Sequence, residues 1–470
     1  MQLYNSLTKK IEPFNKPTSE VVSIYSCGPT VYNNLHIGNL SAFVYADVLR
    51  RAFVAQGYQV KHVMNITDID DKTIRDSKRD YPDDEPMVAL KKLTDKYTKV
   101  FLDDMKKIGN DMDAIQLISA VDSIPDMIAL IQKLLDAKVA YQADDGIYFS
   151  IKAYTSQGHD YGVLQHIELA HSQSRVANDE YDKDNASDFA LWKAAETGEP
   201  SWEATFDFVG EHVSMPGRPG WHIECSAMSE KALGLPFDIH TGGIDLKFPH
   251  HENEIAQSIG AGAEKFATFF VHNAHILVDG RKMSKSLGNF YTLRDVEEKG
   301  YTAEAFRLLV LSSKYDTEGS FTWDILEAAQ NRLRHWYSVA DLQFQPKEQA
   351  ADINFEQATD RLSKNLSDDL NTVQTMTDID GLFQFVEGQQ GISQHQLKDF
   401  KNYLTQIQSS IGITMMRENI TDTQKDLLSE RAEARKNKDW QKSDDIRDQL
   451  KEQGIGINDS DNGQIWYRIG

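Results

Sequence analysis

The sequence predicts an α/β protein with a doubly wound parallel sheet, followed by an α-helical bundle and a small mixed α/β C-terminal domain. Residues 21–26 form an apolar, β-branched run that is typical of a buried strand. From residue 37 to residue 56 apolar side chains recur at helical spacing, and Gly57 suits the end of that helix. Residues 58–66 then predict a second strand. This strand–helix–strand order is a βαβ unit, which implies parallel strands.

Later segments extend this pattern. Two further strands of the sheet are predicted at residues 237–240 and 267–277. Helical periodicity marks residues 306–311 and 323–342. A last helix is predicted from residue 422 to about residue 453, followed by a terminal hairpin.

These elements predict three domains, which fits a length of 470 residues. The parallel-sheet domain is expected at residues 1–300, with an insertion of strand-like pieces and polar loops at about residues 120–220. The helical bundle is expected at residues 301–415 and the small domain at residues 416–470. Residues 206–215 resemble a short additional insertion.

The composition indicates the cellular compartment and restricts the kinds of binding partner. The first 16 residues mix charged and apolar types, and no apolar run reaches 18 residues, so we expect a cytoplasmic protein. A formal net charge of −22 argues against indiscriminate nucleic-acid binding but allows local basic patches. The chain has two cysteines, which are either ordinary buried thiols in a reducing compartment or metal ligands.

The tetrapeptide His36-Ile37-Gly38-Asn39 stands between the first strand and the first helix. Ligands of open α/β sheets bind at the carboxyl ends of strands, and a helix N-terminus offers free N–H groups to phosphate. Gly38 would allow a nucleotide to approach the backbone, and His36 could donate to developing phosphate charge. The alternative is a solvent-facing histidine before a helix.

The pentapeptide 282–286, KMSKS, follows the turn Asp279-Gly280. Its lysines at i and i+3 can neutralise a triphosphate as point charges. A loop that closes only as charge builds would favour the transition state. The alternative is a solvated basic loop.

Together, HIGN at 36–39 and KMSKS at 282–286 resemble the signature pair of the class I aminoacyl-tRNA synthetases, whose catalytic domain is Rossmann-like. Longer segments narrow the resemblance to the cysteinyl-tRNA synthetases: 27–32, 65–72, 220–228 and 248–254. The resemblance implies activation of L-cysteine with ATP and Mg²⁺, transfer to tRNA(Cys), and a monomer.

The resemblance places Cys27, Cys225, His250 and Glu254 on the family's zinc-ligand positions, with one ion expected per chain. Two thiolates, an imidazole and a carboxylate are acceptable zinc donors. Four residues apart on a helix, His250 and Glu254 would share one face. Spacing alone leaves two further histidines equally suitable as ligands, His222 and His251.

A zinc ion would help this family to distinguish cysteine from serine. The two side chains differ by sulfur for oxygen, a difference that pocket shape discriminates poorly. Zinc binds a thiolate far better than a neutral hydroxyl. The resemblance therefore implies that the metal recognises the substrate by binding its thiolate directly. The alternative is a closed structural site, which four protein ligands would otherwise favour.

Other family positions carry over residue by residue. The resemblance assigns catalysis to His36, Asn39, Lys282 and Lys285, and ATP binding to His36, Gly38, Asn39, Gly243, Asp245 and Lys285. It places Thr67, Trp221 and His240 near the bound cysteine, although core packing is an alternative for Trp221 and His240. Asn39 replaces the second histidine of many class I signatures and keeps a donor without a charge.

The C-terminal region offers a candidate RNA surface. Lys436, Lys438 and Lys442 surround Trp440, a combination that suits phosphate contacts and base stacking. A solvated helix with ion pairs is the alternative. Two rival functions remain at this point: a cysteine-activating ligase that acts on an amino sugar, and a non-catalytic synthetase paralogue.

Overall fold

The computed structural model describes residues 1–165, 175–176, 187–208, 210–283, 288–460 and 463–469. The strands, in chain order, are β1 (Gln2–Asn5), β2 (Lys10–Pro13), β3 (Val22–Ser26), β4 (Val60–Ile66), β5 (Ile115–Ser119), β6 (Ala140–Ala143), β7 (Gly146–Phe149), β8 (Arg175–Val176), β9 (Asp188–Ala194), β10 (Thr205–Phe208), β11 (Glu211–Ser214), β12 (Gly217–Pro219), β13 (Phe237–Gly243), β14 (Ala267–Asn273), β15 (Ile276–Val278), β16 (Gly319–Phe321), β17 (Ile455–Ser460) and β18 (Gly463–Arg468).

The helices, in chain order, are α1 (Ile37–Ala55), α2 (Asp71–Asp80), α3 (Pro86–Lys107), α4 (Ile124–Asp136), α5 (Ile151–Ser156), α6 (Trp221–Leu233), α7 (Glu252–Gly260), α8 (Leu293–Glu298), α9 (Ala303–Leu311), α10 (Trp323–Ala340), α11 (Phe355–Ser367), α12 (Thr372–Gly388), α13 (Leu397–Ile411), α14 (Asp422–Lys436) and α15 (Trp440–Glu452). No helix in the described ranges combines the length and apolar character needed to cross a membrane.

The central sheet has five strands in the order β14-β13-β3-β4-β5. Every neighbouring pair is parallel, which confirms the predicted parallel α/β fold. The chain runs outward from β3 to β4 and β5 on one side, and from β13 to β14 on the other. The strand order therefore reverses between β3 and β13, and the crevice at their carboxyl ends is where ligands bind in such sheets.

Helix α1 joins β3 to β4 and lies as the sequence predicts. The His36 side chain caps its N-terminus by accepting from the backbone N–H of Asn39 at 3.1 Å. Its buried stripe includes Ile37, Leu40 and Val44, which pack into the largest core cluster. Gly57 follows the helix with a φ of 86°, a conformation that glycine adopts without strain.

A second sheet lies between α4 and α6 in the chain. Its strands run in the order β12-β9-β7-β6, with β8 beside β9, and the four strands of that path are antiparallel. Strand β12 leads through Gly220 straight into α6, so this sheet positions the start of that helix. The additional insertion predicted at residues 206–215 corresponds to the β10–β11 hairpin, whose Phe206 is buried against Trp192.

Two predicted elements are wrong in detail. Residues 267–277 form two strands, because Ala274 leaves the central sheet to donate to Tyr315 O at 2.7 Å, and β15 then pairs with β16. The helix predicted at residues 422–453 is two helices. Lys438 has a φ of 60°, and the Asp439 side chain caps α15 by accepting from the Lys442 N–H.

The helical region is anchored to the parallel sheet through Arg307 of α9. This side chain is fully buried and donates to Asp47 of α1, to Asn110, and to the carbonyl oxygens of Ile108 and Ile411. Beyond it, α14, α15 and the β17–β18 hairpin share a small core of their own that includes Leu450 and Trp466. The domain boundaries themselves stay a prediction.

Candidate active site and metal centre

The first signature, residues 36–39, meets the described start of the KMSKS segment, residues 282 and 283, at the N-terminus of α1. The backbone N–H of Ile37 donates to Tyr291 O at 2.8 Å, and the His36 ring packs edge-on against Phe290. Gly38 lies so close to Met283 that a Cβ placed there would stand 2.4 Å from the Met283 methyl carbon. Lys282 is held through its carbonyl oxygen, which accepts from Asn289 Nδ2 at 3.1 Å. Lys285 falls outside the residues that the structure describes.

The residues after β13 face the same place. Gly243 ends β13, and a Cβ there would lie 2.5 Å from Asp245 Oδ1, in the turn Ile244–Leu246. Burial lowers the pKa of His36, and the Asp245 carboxylate partly opposes this shift, which puts the two side chains in one electrostatic site. Close packing thus requires glycine at both positions, at 38 against Met283 and at 243 against Asp245.

Four predicted metal ligands converge beside this crevice. Cys27 follows β3, Cys225 lies in α6, and Glu254 lies in the first turn of α7, just after His250. The sulfur atoms of Cys27 and Cys225 are 3.9 Å apart. His250 Nε2 stands 3.2 Å from Glu254 Oε1, which in turn lies 3.9 Å from Cys27 Sγ. One donor atom from each of the four residues lies within 4.8 Å of the others.

A second set of donors overlaps the first. Cys27, His240, His251 and Glu254 also bring their donor atoms within 4.8 Å of one another. His251 Nε2 is 3.3 Å from Cys27 Sγ, and His240 Nε2 is 2.8 Å from Glu254 Oε2. His251 therefore remains an alternative metal ligand, and His240 contacts Oε2 of Glu254, the carboxylate that belongs to both sets.

His222, the other alternative, belongs to neither set. Its Nδ1 atom lies 2.8 Å from Nδ1 of His250, the ring nitrogen that faces away from Glu254. A second ring that contacts the outer nitrogen of a ligating histidine typically fixes its orientation. His222 thus contacts the His250 nitrogen that is not directed at Glu254 and helps to orient the His250 ring.

Burial favours the neutral forms of the two thiols and of the His250 ring. It raises the pKa of the Cys27 and Cys225 thiols and lowers that of His250 to about 3. The fully buried Tyr25 hydroxyl, beside Cys225, has no hydrogen-bond partner of standard geometry within the described ranges. A buried donor of this kind calls for an acceptor, and a metal-bound thiolate would provide one. Two sulfurs, one nitrogen and one oxygen suit a soft divalent metal such as zinc.

The remaining predicted residues line the same region. The ring of Trp221 stacks on His250 with centroids 4.1 Å apart. His240 is fully buried, and its two ring nitrogens face Tyr25 O and Glu254 Oε2. Thr67 follows β4 and donates from Oγ1 to Glu224 Oε2 at 2.9 Å. Asn39 is exposed in the first turn of α1.

Sequence reasoning missed Glu224, Asn65 and Tyr25. All three stand within two residues of a predicted site residue, at positions 224, 65 and 25 beside Cys225, Thr67 and Cys27. Proximity in the chain was the only signal available for them. It could not say which neighbours turn toward the site.

The basic C-terminal surface lies at the turn between α14 and α15. Trp440 is 57% exposed, and the Arg435 guanidinium lies 5.8 Å from its ring. Lys436, Lys438 and Lys442 are also exposed. An open aromatic ring among cations is compatible with stacking of an unpaired base.

Comparisons with known proteins agree across the chain. The family profile of the class I (C) tRNA synthetase catalytic domain matches residues 13–331, and that of the cysteinyl-tRNA ligase anticodon binding domain matches residues 417–466. A cysteine–tRNA ligase of Brachyspira hyodysenteriae is 40% identical, with 99% of this chain and 98% of the relative covered. One from Solibacter usitatus is 38% identical over 100% of this chain and 99% of its own length.

Solved structures show the same fold at low identity. A leucyl-tRNA synthetase complex from Agrobacterium radiobacter is 10% identical, with a TM-score of 0.58 and 84% of each chain covered. A methionyl-tRNA synthetase from Mycobacterium tuberculosis is 12% identical, with a TM-score of 0.55, over 83% of this chain and 92% of the other. These likenesses support the architecture alone.

Proposed function

The chain belongs to the class I cysteine–tRNA ligase family, and from this premise we propose that it activates L-cysteine with ATP and transfers it to tRNA(Cys). The observation that carries the proposal is the position of the metal-ligand cluster. Cys27, Cys225, His250 and Glu254 meet at the carboxyl end of β3, and the Asp245 carboxylate acts electrostatically on both Cys27 of this cluster and His36 at the start of α1. A cysteine molecule bound through its thiol at this cluster would direct its carboxylate toward a nucleotide bound at α1.

The nucleotide would lie along α1 and the end of β13. In the proposed site Gly38 and Gly243 admit the nucleotide, Asp245 accepts from a ribose hydroxyl, and His36 and Asn39 donate to phosphate oxygens. Lys282 and Lys285 would neutralise the triphosphate, with Mg²⁺, as the cysteine carboxylate displaces pyrophosphate. The product, cysteinyl-adenylate, would then transfer its acyl group to a hydroxyl at the 3′ end of the tRNA, with AMP as the leaving group.

Zinc would be held by Cys27, Cys225, His250 and Glu254, one ion per chain. When bound, it supplies a Lewis acid that prefers a thiolate to a neutral hydroxyl. The protein contributes the shape of the site: His240 holds the second oxygen of Glu254, and His222 holds the outer nitrogen of His250. Trp221 covers the His250 ring and would pack against the bound cysteine with Thr67 and His240.

The partner tRNA would contact the C-terminal region, with Trp440 and its neighbouring lysines as the proposed base-stacking and phosphate surface. The tail is also what argues against an amino-sugar ligase, because residues 417–466 match the anticodon binding domain. The presence of both signatures and all four ligands argues against a non-catalytic paralogue. A monomeric, cytoplasmic enzyme is proposed.

One pair of assays tests the function against both rivals. Cysteine-dependent exchange of pyrophosphate into ATP should occur with the purified protein, and tRNA(Cys) should then accept cysteine. Exchange without tRNA charging, but with transfer to an amino sugar, would establish the first rival. A zinc-loaded protein that does not support exchange would establish the second.

A further inference from the structure

The side chain of Gln345, just beyond the end of α10, binds the backbone of the small C-terminal domain. Gln345 Nε2 donates to Trp466 O at 3.0 Å, and the Trp466 N–H donates to Gln345 Oε1 at 2.9 Å. Trp466 lies in β18, which pairs with β17 along its other edge. An amide side chain offers a donor and an acceptor side by side, so Gln345 occupies the open edge of this hairpin as a neighbouring strand would.

Two further contacts join the same face of β18 to residues 341–345. The Phe344 ring stacks on that of Trp466 with centroids 6.4 Å apart, and Trp466 is buried. Arg468 Nε lies 3.4 Å from Oδ2 of Asp341, whose side chain is also buried. Residues 466 and 468 point to one side of a strand because side chains alternate along it. The segment after α10 therefore holds β18 at three neighbouring points.

The small domain is held together internally, so its parts must move as one. Arg431 of α14 is fully buried and donates to Asp459 and to Gln464 in the β17–β18 hairpin. Arg435 also donates to Asp459, and its guanidinium lies 5.8 Å from the Trp440 ring. Whatever orients β18 therefore also orients the proposed RNA surface at Trp440.

The other end of α10 lies beside the proposed nucleotide site. Trp323, the first residue of α10, packs edge-on against Tyr291 with ring centroids 5.0 Å apart. The Tyr291 carbonyl oxygen accepts from the Ile37 N–H at the start of α1, at 2.8 Å. The 18 residues of α10 span about 27 Å. One helix thus separates the first signature from the contact between Gln345 and Trp466.

We propose that Gln345 is a positioning residue for tRNA(Cys), because it holds the Trp440 surface in advance at a fixed distance and orientation from the active site. This inference rests on the proposed function. A tRNA that is charged must contact both the active site and the C-terminal surface. A domain that is already held in place costs less free energy to engage than one that must be ordered on binding. Gln345 should therefore affect tRNA binding and leave cysteine activation unchanged.

The test uses two variants of Gln345. Gln345→Met keeps the length of the side chain and removes both hydrogen bonds, whereas Gln345→Glu places an oxygen against the Trp466 carbonyl oxygen. Gln349→Glu is the matched control, because it adds the same charge at an exposed position of the same segment. Steady-state charging gives kcat and KM for tRNA(Cys), and pyrophosphate exchange measures cysteine activation. Hydrogen exchange, followed by mass spectrometry, compares the amides of β18 with those of α15.

Both Gln345 variants should raise KM for tRNA(Cys) by about 5- to 100-fold, the range for the loss of two hydrogen bonds. The kcat of charging, the rate of pyrophosphate exchange and the Gln349→Glu control should match the wild type. Amides of β18 should exchange faster in Gln345→Met, while those of α15 keep their protection.

Three results would overturn the inference and leave the proposed function intact. An unchanged KM would show that this contact does not position the tRNA. Unchanged exchange in β18 would show that Gln345 does not hold the domain in place. Faster exchange in β18 and α15 together would show that Gln345 only keeps the domain folded. A wild-type protein that does not charge tRNA(Cys) would overturn both the inference and the proposed function.

Discussion

Arg307 Nη2 and Asp47 Oδ2 form an ion pair 2.5 Å long, and neither side chain is exposed. The pair joins α9, at the start of the helical region, to α1, which carries the first signature at its N-terminus. Arg50 and Arg51 also contact Asp47. This one carboxylate therefore joins α1 to the helical region through a buried ion pair.

Loss of the Asp47 charge should destabilise the whole protein. Asp47→Asn leaves Arg307 buried without its counter-charge, which typically costs about 3–5 kcal/mol. We expect a clear fall in the urea midpoint at neutral pH. The control is Asp95→Asn, which removes an exposed partner of Lys91 and should change little. An Asp47→Asn midpoint equal to that of the control would show that the pair contributes no net stability.

The same carboxylate predicts an acid-sensitive step. Burial alone would raise the pKa of Asp47, but the guanidinium groups of Arg307, Arg51 and Arg50 lower it from 3.8 to about 2. A lowered pKa in the folded state contributes stability above the unfolded value, here about 2 kcal/mol, which disappears as pH falls from about 4 to 2. The unfolding free energy of Asp47→Asn should depend less steeply on pH across that window than that of the wild type.

Lys285 should act on the rate of activation. Lys285→Ala should raise the barrier of cysteine activation by about 2–4 kcal/mol, because its charge would stabilise the transition-state phosphates. Cysteine affinity should hardly change. Pyrophosphate exchange measures the rate, and Lys299→Ala, an exposed lysine just after α8, is the control. A variant that loses cysteine affinity at an unchanged rate would indicate a structural role.

Removal of single histidines should separate the two possible ligand sets. His250→Ala should lose zinc in competition with a chelator, whereas His251→Ala should keep it. His222→Ala should lower zinc affinity by about 10- to 100-fold, the usual effect of losing a side chain that orients a ligand. Zinc loss with His251→Ala and retention with His250→Ala would assign the metal to Cys27, His240, His251 and Glu254 instead.

Zinc should be the basis of selectivity for cysteine over serine. A missing strong bond discriminates by about 10⁴ or more, whereas a difference in size does not. Cys225→Ser and Glu254→Gln should therefore lose zinc and cysteine activation together. The decisive sample is wild-type enzyme that has been depleted of zinc and remains folded by circular dichroism. If the zinc-depleted enzyme keeps the original preference for cysteine over serine, the metal is not the group that discriminates between them.

Trp440 should affect tRNA and not amino-acid activation. Trp440→Ala should lower the efficiency of tRNA charging by about 5- to 100-fold, which corresponds to the loss of one stacked base. Pyrophosphate exchange should be unaffected. Trp440→Phe keeps a stacking ring and should restore most of the charging. Equal charging by all three proteins would indicate that the surface does not contact the tRNA.

Local patterns predicted the elements that carry the site. The strand before Cys27, helix α1 and the strand after Gly57 are visible because apolar periodicity and a terminal glycine act within a few residues. The errors arose where distant contacts decide. Ala274 interrupts an apolar run because its N–H bonds to Tyr315, a partner that no local window contains.

Part of the site could not have been predicted from spacing. His250 and His251 are adjacent in the chain, and both approach the cluster, so only ring orientation separates them. Glu224 could not be identified from the sequence because it accepts from Thr67, which is 157 residues away. The resemblance to a known family supplied the proposed ligand set, whereas the residues that contact those ligands could be identified only from the structure.

The pairing of β3 with β13 has a consequence for synthesis of the protein. His240 reaches Tyr25 across 215 residues, so one edge of β3 stays open while the chain between them emerges from the ribosome. At about 5–20 residues per second that interval lasts roughly 10–40 s. The nascent chain therefore carries an apolar strand edge that its own sheet cannot yet cover. Binding of this edge by a chaperone would matter most during this period.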